Sequence, residues 1–239
     1  MNFENVGELK NKLNEIFVRG FIKSHRLNNT GIGKTLEDEM DIEENNLPEG
    51  DFKIGGLPVE LKTQRKTASS RVTLSTKEPT WILDKKDVIN KTGYKDVKDR
   101  IGLKITLNTL KFNPKGYKLE ISDNKIFIVH EKLGRVCFFE IDKLMEIIKK
   151  KIGDNLLFVL AKVRKEEEIE FFNYYEAVLL SNFYEEKFKE LINSGQIIWE
   201  FRLHLKPSGA IRDHGSGFRI SRKYLGNLYE NKTTIIPLE

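Results

Sequence analysis

The sequence is poor in cysteine and has no long apolar run, and each shortage removes a class of protein. One thiol, Cys137, occurs in 239 residues, so neither an intrachain disulfide framework nor a cysteine-based zinc site is possible. Its place within the apolar stretch RVCFFEI marks a core residue. No apolar stretch reaches the roughly 18 residues that a membrane-spanning helix needs. The first residues, MNFENVGELKNKLNEIF, carry early acids and no long apolar segment, unlike a secretory signal. Internal repeats and low-complexity linkers are absent too. The expectation is a soluble chain in a reducing, cytoplasmic setting with no membrane partner.

Hydrophobic residues make up 39% of the chain and charged residues 32%, enough for a sizeable core under a heavily charged surface, organised as one large domain or two lobes. The net charge of +5 is modest, but its distribution is uneven. Residues 36–51 hold eight acids and no Lys or Arg, whereas residues 52–118 hold 16 basic residues and six acids. Such a basic segment suits a polyanionic partner, although a Lys-rich solvated surface has the same composition.

Hydrophobic periodicity gives the coarse organisation. Residues 4–19 have helical spacing, with Val6, Leu9, Leu13, Ile16 and Phe17 on one face. LNNTGIG reads as a loop and residues 34–45 as an acidic helix. Residues 52–61 read as a hairpin turning at Gly55-Gly56, with Pro58 early in its second strand, where a missing N–H is tolerated. Residues 71–75 and 102–110 are candidate strands, and YKLEIS and KIFIVH form a second hairpin around Asp123-Asn124. Ile141, Leu144, Met145 and Ile148 mark an amphipathic helix, and residues 156–163 a buried strand. Ser181 or Asn182 is positioned to cap a helix with Tyr184, Phe188, Leu191 and Ile192 on its apolar face, ended by Gly195. QIIWEFRLHL alternates: Trp199, Phe201, Leu203 and Leu205 face one side, Glu200, Arg202, His204 and Lys206 the other. Strands and helices are mixed, so the class is α/β or α+β.

Three segments invite chemistry. GIGKT at residues 31–35 imitates the end of a phosphate-binding loop, but that pattern needs glycine where Asn28 stands; no nucleotide cofactor is expected. In GDFKIGGLPVELKT, strand alternation turns Val59 and Leu61 to the core and puts Glu60 and Lys62 together on the other side, while the hairpin brings Asp51 beside Glu60. Neighbouring carboxylates repel unless a cation lies between them. Mg²⁺ favours such oxygen ligands, and Lys62 alongside could orient or deprotonate a water, or stabilise charge on a phosphate. That is an arrangement for metal-assisted phosphodiester hydrolysis. The plainer reading is an exposed hairpin with a surface Glu–Lys pair. Finally, DHGSGFRI at residues 213–220 is a polar, glycine-containing turn. Its Arg could read guanine O6 and N7 with two hydrogen bonds, and its acid could accept from cytosine or hold the Arg; an ordinary charged loop has the same appearance.

Taken together, NNTGIGKTLED, the Asp51-Phe52 pair, VELKT and DHGSGFRI resemble, in order and approximate spacing, segments of the MvaI/BcnI restriction endonucleases, relatives of the mismatch-repair nicking enzyme MutH. The match is less clear over residues 80–180. The resemblance implies a PD-(D/E)xK nuclease fold, a mixed β-sheet flanked by helices, with a catalytic lobe (mainly residues 1–150) and a DNA-recognition lobe (mainly residues 151–239) around a cleft for duplex DNA. It assigns Asp51 and Glu60 to metal, Lys62 to the catalytic lysine, and Glu37 to the family's helical glutamate near the metal, with TGIGKT as a loop leading into that helix. The Asp51–Glu60 spacing is longer than the family's, through Gly55-Gly56. Glu200, Arg202, Asp213, His214 and Arg219 match base-recognition positions, His214 near a central base pair. The implied cofactor is Mg²⁺, with Mn²⁺ as a substitute. The implied activity is cleavage of short CC-N-GG-type sites by a monomer that nicks one strand and then the other. A MutH-like strand nicker and a non-catalytic DNA-binding module remain as alternatives.

Overall fold

A computed structural model describes residues 1–43 and 50–236. Tight contacts divide the chain into two compact units: Met1–Ser70, Ile152–Phe183 and Tyr229–Glu239 form one, Arg71–Lys151 and Tyr184–Leu228 the other. Each is thus assembled from separated stretches, and the expected division near residue 150 coincides with only one of the points where the chain passes between them.

The first unit is built on a mixed sheet, seven-stranded among the described residues. Phe52–Ile54 and Leu57–Arg65 form the expected hairpin, Phe52 opposite Val59. At its turn Gly55 and Gly56 take φ of 55° and 81°, the left-handed region that glycine enters without steric cost. Leu57–Arg65 then pairs in parallel with Asn155–Glu166, Glu60 opposite Leu156 and Lys62 opposite Phe158. Asn155–Glu166 continues into a long antiparallel hairpin with Ile169–Phe183, interrupted by a bulge between Leu160 and Ala161. Helix Val6–Phe17 is capped by Asn5, whose side chain accepts from the Glu8 N–H, and buries Leu9, Leu13 and Ile16. These join Leu36, Met40, Phe52, Val59, Leu61, Leu157, Val159 and Phe172 in one core. Each such fully buried side chain contributes about 1.5–3 kcal/mol. Val6, expected on the apolar face, is 38% exposed.

The second unit has a six-stranded sheet and a four-stranded sheet among the described residues. Ile197–Leu205 lies between Gly217–Ile220 and Ile101–Leu107, antiparallel to both. Val72–Ser75 continues the sheet beyond Gly217–Ile220, and Ile211–Asp213 pairs with the far end of Ile197–Leu205. Trp199, Phe201, Phe139 and Phe218 pack edge-on or tilted at 4.7–5.7 Å between ring centroids, which accounts for the apolar half of the QIIWEFRLHL alternation. The Tyr117–Ser122/Lys125–His130 hairpin turns at Asp123 and Asn124, both at positive φ. Cys137 is buried, and burial pushes its thiol pKa up.

Two local expectations need correcting. Ser181 and Asn182 cap no helix: both lie inside the strand Ile169–Phe183, where Ser181 pairs with Asn155 and Asn231. The helix is Glu185–Asn193, preceded by Tyr184, which offers no side-chain cap and is 38% exposed. Ladder hydrogen bonds on both sides outweigh the capping preference. Nor is GIGKT a loop: Gly31–Glu39 is a helix that already contains it. A Cβ on Gly31 would stand 2.4 Å from both the Arg26 carbonyl oxygen and the Ser24 hydroxyl, so glycine serves close backbone approach rather than a phosphate cradle. Residues 44 and 45, the expected end of this helix, lie outside the described residues.

Candidate active site and recognition strand

The hairpin sets Asp51 against the strand that bears Glu60 and Lys62. The Asp51 N–H donates to the Val59 carbonyl at 2.9 Å, and its Oδ2 accepts the Leu61 N–H at 2.6 Å. Asp51 is thereby clipped to the strand on either side of Glu60, extending the ladder by a side chain. Gly50, at φ +80°, permits the approach, since a Cβ there would meet the Val59 carbonyl oxygen at 2.9 Å. Lys62 Nζ lies 2.7 Å from Glu60 Oε1, and each side chain is 22% exposed. Ion pairs this accessible add about 0.2–1 kcal/mol to stability, so the pair fixes the two head groups rather than the fold. Leu61 between them is buried, as alternation requires.

Glu37 lies in the last turns of helix Gly31–Glu39. Its Oε1 stands 3.6 Å, and the Thr63 hydroxyl 3.5 Å, from the point a Gly33 Cβ would occupy. The helix therefore packs on the Thr63 side of the strand at Gly33. Among the described residues no three His, Cys, Asp or Glu side chains gather as a ready-made metal cluster. What the fold assembles is narrower: two hard-oxygen carboxylates at neighbouring hairpin positions with an ammonium at one of them. That donor set suits a hard, oxygen-seeking divalent cation.

In the second unit, Glu200 is a hub for arginines. Its Oε2 accepts from Arg202 Nη2 at 2.6 Å and Nε at 3.1 Å, and lies 2.9 Å from Arg219 Nε. The latter N–H points off the carboxylate and has no directed acceptor, so that contact is Coulombic. Arg71 approaches Oε1 at 3.7 Å. Arg202 is 44% exposed, whereas Arg219 is 8% exposed and committed inward: Nη1 donates to Thr73 Oγ1, and Nη2 to the Gly215 carbonyl at 2.7 Å. Burial, then the neighbouring Arg202 charge, lowers the Arg219 pKa, with Glu200 opposing. Asp213 Oδ1 accepts from the Gly215 and Ser216 N–H groups at 2.9 and 2.7 Å, shaping the turn that carries His214. His214 in turn donates its backbone N–H to the Arg202 carbonyl at 3.0 Å.

A groove of about 620 Å³ runs beside this strand, lined by Arg100, Lys104, Thr106, Arg202, His204 and His214 among others. Four of these, Arg100, Lys104, Thr106 and His204, were not singled out as site residues from the sequence. Lys104 lies directly opposite Arg202 across the ladder. Arg100 donates to Asp96 Oδ2 through Nε and Nη2, at 2.8 and 2.5 Å. His204 is 4% exposed although it belongs to the polar half of the alternation. Its ring meets that of His214 edge-on at 4.9 Å, its Nε2 is 3.7 Å from Asp96, and its Nδ1 is buried without a partner. Burial first, then Arg100, Lys104 and His214, lowers its pKa, against the pull of Asp96. Arg71 and Lys104 are brought to this strand by packing and pairing across long sequence separations, so no local pattern could have disclosed them.

The sequence profile of the MvaI/BcnI restriction endonuclease family matches residues 10–229. The chain belongs to that family. Membership makes it a type II restriction endonuclease, a site-specific deoxyribonuclease with the PD-(D/E)xK-type fold. Among solved structures, the chain is similar to the restriction endonuclease MvaI–cognate DNA substrate complex, at 26% identity over 97% of this chain and 98% of that one, TM-score 0.74. It is also similar to MvaI in the absence of DNA, at 23% identity over 98% of each chain, TM-score 0.60. A search of curated proteins returned no match. The family's endonucleases use divalent metal ions, and the oxygen donors of Asp51 and Glu60 are compatible with one.

Proposed function

We propose that this MvaI/BcnI-family nuclease is a Mg²⁺-dependent enzyme that binds double-stranded DNA and cuts both strands at a short CC-N-GG-type site. In this reading it acts in the cytoplasm as a monomer, nicking one strand and then the other. The observation that carries the catalytic assignment is the clip of Asp51 onto the Glu60–Lys62 strand. Asp51 and Glu60 would hold the cation, with Mn²⁺ able to replace Mg²⁺. When bound, the cation supplies charge neutralisation at the scissile phosphate and a more acidic water.

The chain's own groups supply the remainder. Lys62, held 2.7 Å from Glu60, presents an ammonium where negative charge develops on the phosphate and where an attacking water can be oriented. Glu37, on helix Gly31–Glu39, is proposed to act near the metal carboxylates. Glu200 and Arg202 are proposed to read base edges together with His214, which the Asp213-shaped turn presents. Arg219 joins them only by giving up contacts to Thr73 or Gly215. The similarity to MvaI bound to its cognate DNA supports a duplex substrate for this chain.

Digestion of a sequenced plasmid with and without Mg²⁺, followed by mapping of the ends, tests the proposal. Discrete double-strand fragments with 5′-phosphates, formed only with the metal, are expected. Nicks alone would favour the MutH-like reading. Intact DNA in both lanes, on substrates holding CC-N-GG and GATC sites, would leave a binding module.

A further inference from the structure

We infer that Lys66, Lys162 and Tyr175 form a phosphate-binding platform for the DNA strand beside the Glu60–Lys62 pair, an inference that rests on the nuclease reading above. The sheet of the first unit places them. Strand alternation puts Lys62 and Gln64 on one face of Leu57–Arg65, and Lys66 follows just past the strand's end, about 13 Å along the chain from Lys62 at roughly 3.3 Å per residue. The Lys66 N–H donates to the Ala161 carbonyl at 2.8 Å, which ties the end of this strand to its neighbour. Next along that neighbour is Lys162.

Tyr175 reaches the pair through the bulge. Leu160 pairs with Glu176 but Ala161 pairs with Tyr174, so Tyr175 is the extra, unpaired residue. Bulges re-aim a side chain and are over-represented near active sites. Here the re-aimed phenol ring lies 5.2 Å from Lys66 Nζ and 5.3 Å from Lys162 Nζ. One aromatic ring thus contacts two ammonium groups, on the sheet face that carries Glu60 and Lys62. Ammonium groups on this face suit a polyanion, and a DNA strand entering at the Glu60–Lys62 pair offers further phosphates within a few nucleotides. The lysines would contact phosphate and carry no sequence information; Tyr175 is a positioning residue that sets their spacing.

The test uses the full chain and a labelled random-sequence duplex, with binding followed by fluorescence anisotropy across a salt series in EDTA. Each lost phosphate contact lowers the slope of log affinity against log salt by about 0.9. The Lys66→Ala/Lys162→Ala protein should therefore show a slope shallower by nearly two, so that wild type loses roughly tenfold more affinity than the variant between 50 and 200 mM salt. Lys66→Arg/Lys162→Arg should restore the slope. Affinity for a cleavable duplex should fall by the same factor as for random DNA. A slope equal to wild type, or a loss confined to the cleavable duplex, overturns the platform while leaving the nuclease reading intact. A wild-type protein that binds no duplex at any salt overturns the reading itself, and the platform with it.

Discussion

Replacing Lys62 by alanine separates catalysis from binding and from folding. The ammonium lies 2.7 Å from Glu60 Oε1, and both side chains are 22% exposed, so water already screens the pair. Its loss should cost under about 1 kcal/mol of stability, as for other accessible ion pairs. Removal of a preorganised charge aimed at a developing anion costs about 10²–10³ in rate, some 2.7–4 kcal/mol. A rate drop of at least that size, with unfolding midpoint and duplex affinity nearly unchanged, is expected for Lys62→Ala. The assay is single-turnover cleavage with enzyme in excess at saturating Mg²⁺, alongside denaturant unfolding and binding in EDTA. Single turnover matters because slow product release would otherwise hide a chemical defect. Cleavage by Lys62→Ala at the wild-type rate would refute the assignment. A large loss of stability would instead show that the Glu60–Lys62 contact holds the hairpin together.

Other perturbations have distinct expected outcomes. Arg202→Ala should cost under about 1 kcal/mol of stability, its side chain being 44% exposed, while reducing the preference for the cognate site by about 1–3 kcal/mol. Arg219→Ala should destabilise the fold by about 1–3 kcal/mol, because buried partners at Thr73 and Gly215 lose their donor; paired denaturation and binding curves distinguish the two arginines. Gly31→Ala should cost about 1–3 kcal/mol, since the new Cβ meets the Arg26 carbonyl oxygen at 2.4 Å, and is read from denaturant midpoints. His204 is held neutral, its pKa lowered from 6.5 chiefly by burial. The unfolded chain therefore takes up a proton first on acidification, so the stabilisation present above about pH 6.5 is lost as pH falls through the folded value. Thermal melts from pH 7.5 to 5 should show this fall, and His204→Asn should flatten it; an unchanged pH dependence would contradict it.

The parts of the fold legible in the sequence were those fixed by local physics. The Gly55-Gly56 turn, the period-2 run from Trp199 to Leu205 and the Leu9–Leu13–Ile16 face all follow from short-range geometry, and the structure shows each of them. Ile169–Phe183 carries no clean period in the sequence, because its bulge shifts the alternation part-way along the strand. Ser181-Asn182 misled for a related reason: a capping preference of about 1 kcal/mol competes there with ladder bonds to partners 26 and 50 residues away, Asn155 and Asn231.

The candidate site divides in the same way. Asp51, Glu60 and Lys62 lie within one hairpin, so alternation alone brought them together. The environment of Glu200 draws on segments far apart in sequence, Arg71, Thr73 and Lys104 with Arg202 and Arg219. Such a face must balance charge for two purposes. Cations gathered for a polyanion repel one another in its absence, and a buried guanidinium without an acid is costly. A single carboxylate, Glu200, 14% exposed, meets both needs: it compensates Arg219 inside the sheet and steadies Arg202 at its surface. A local charge count cannot display that division of labour, because it depends on which strand lies next to which. The sequence could nominate Arg202 and Arg219 as equals. Only the pairing of Gly217–Ile220 against Val72–Ser75 ties Arg219 inward while Arg202 stays exposed.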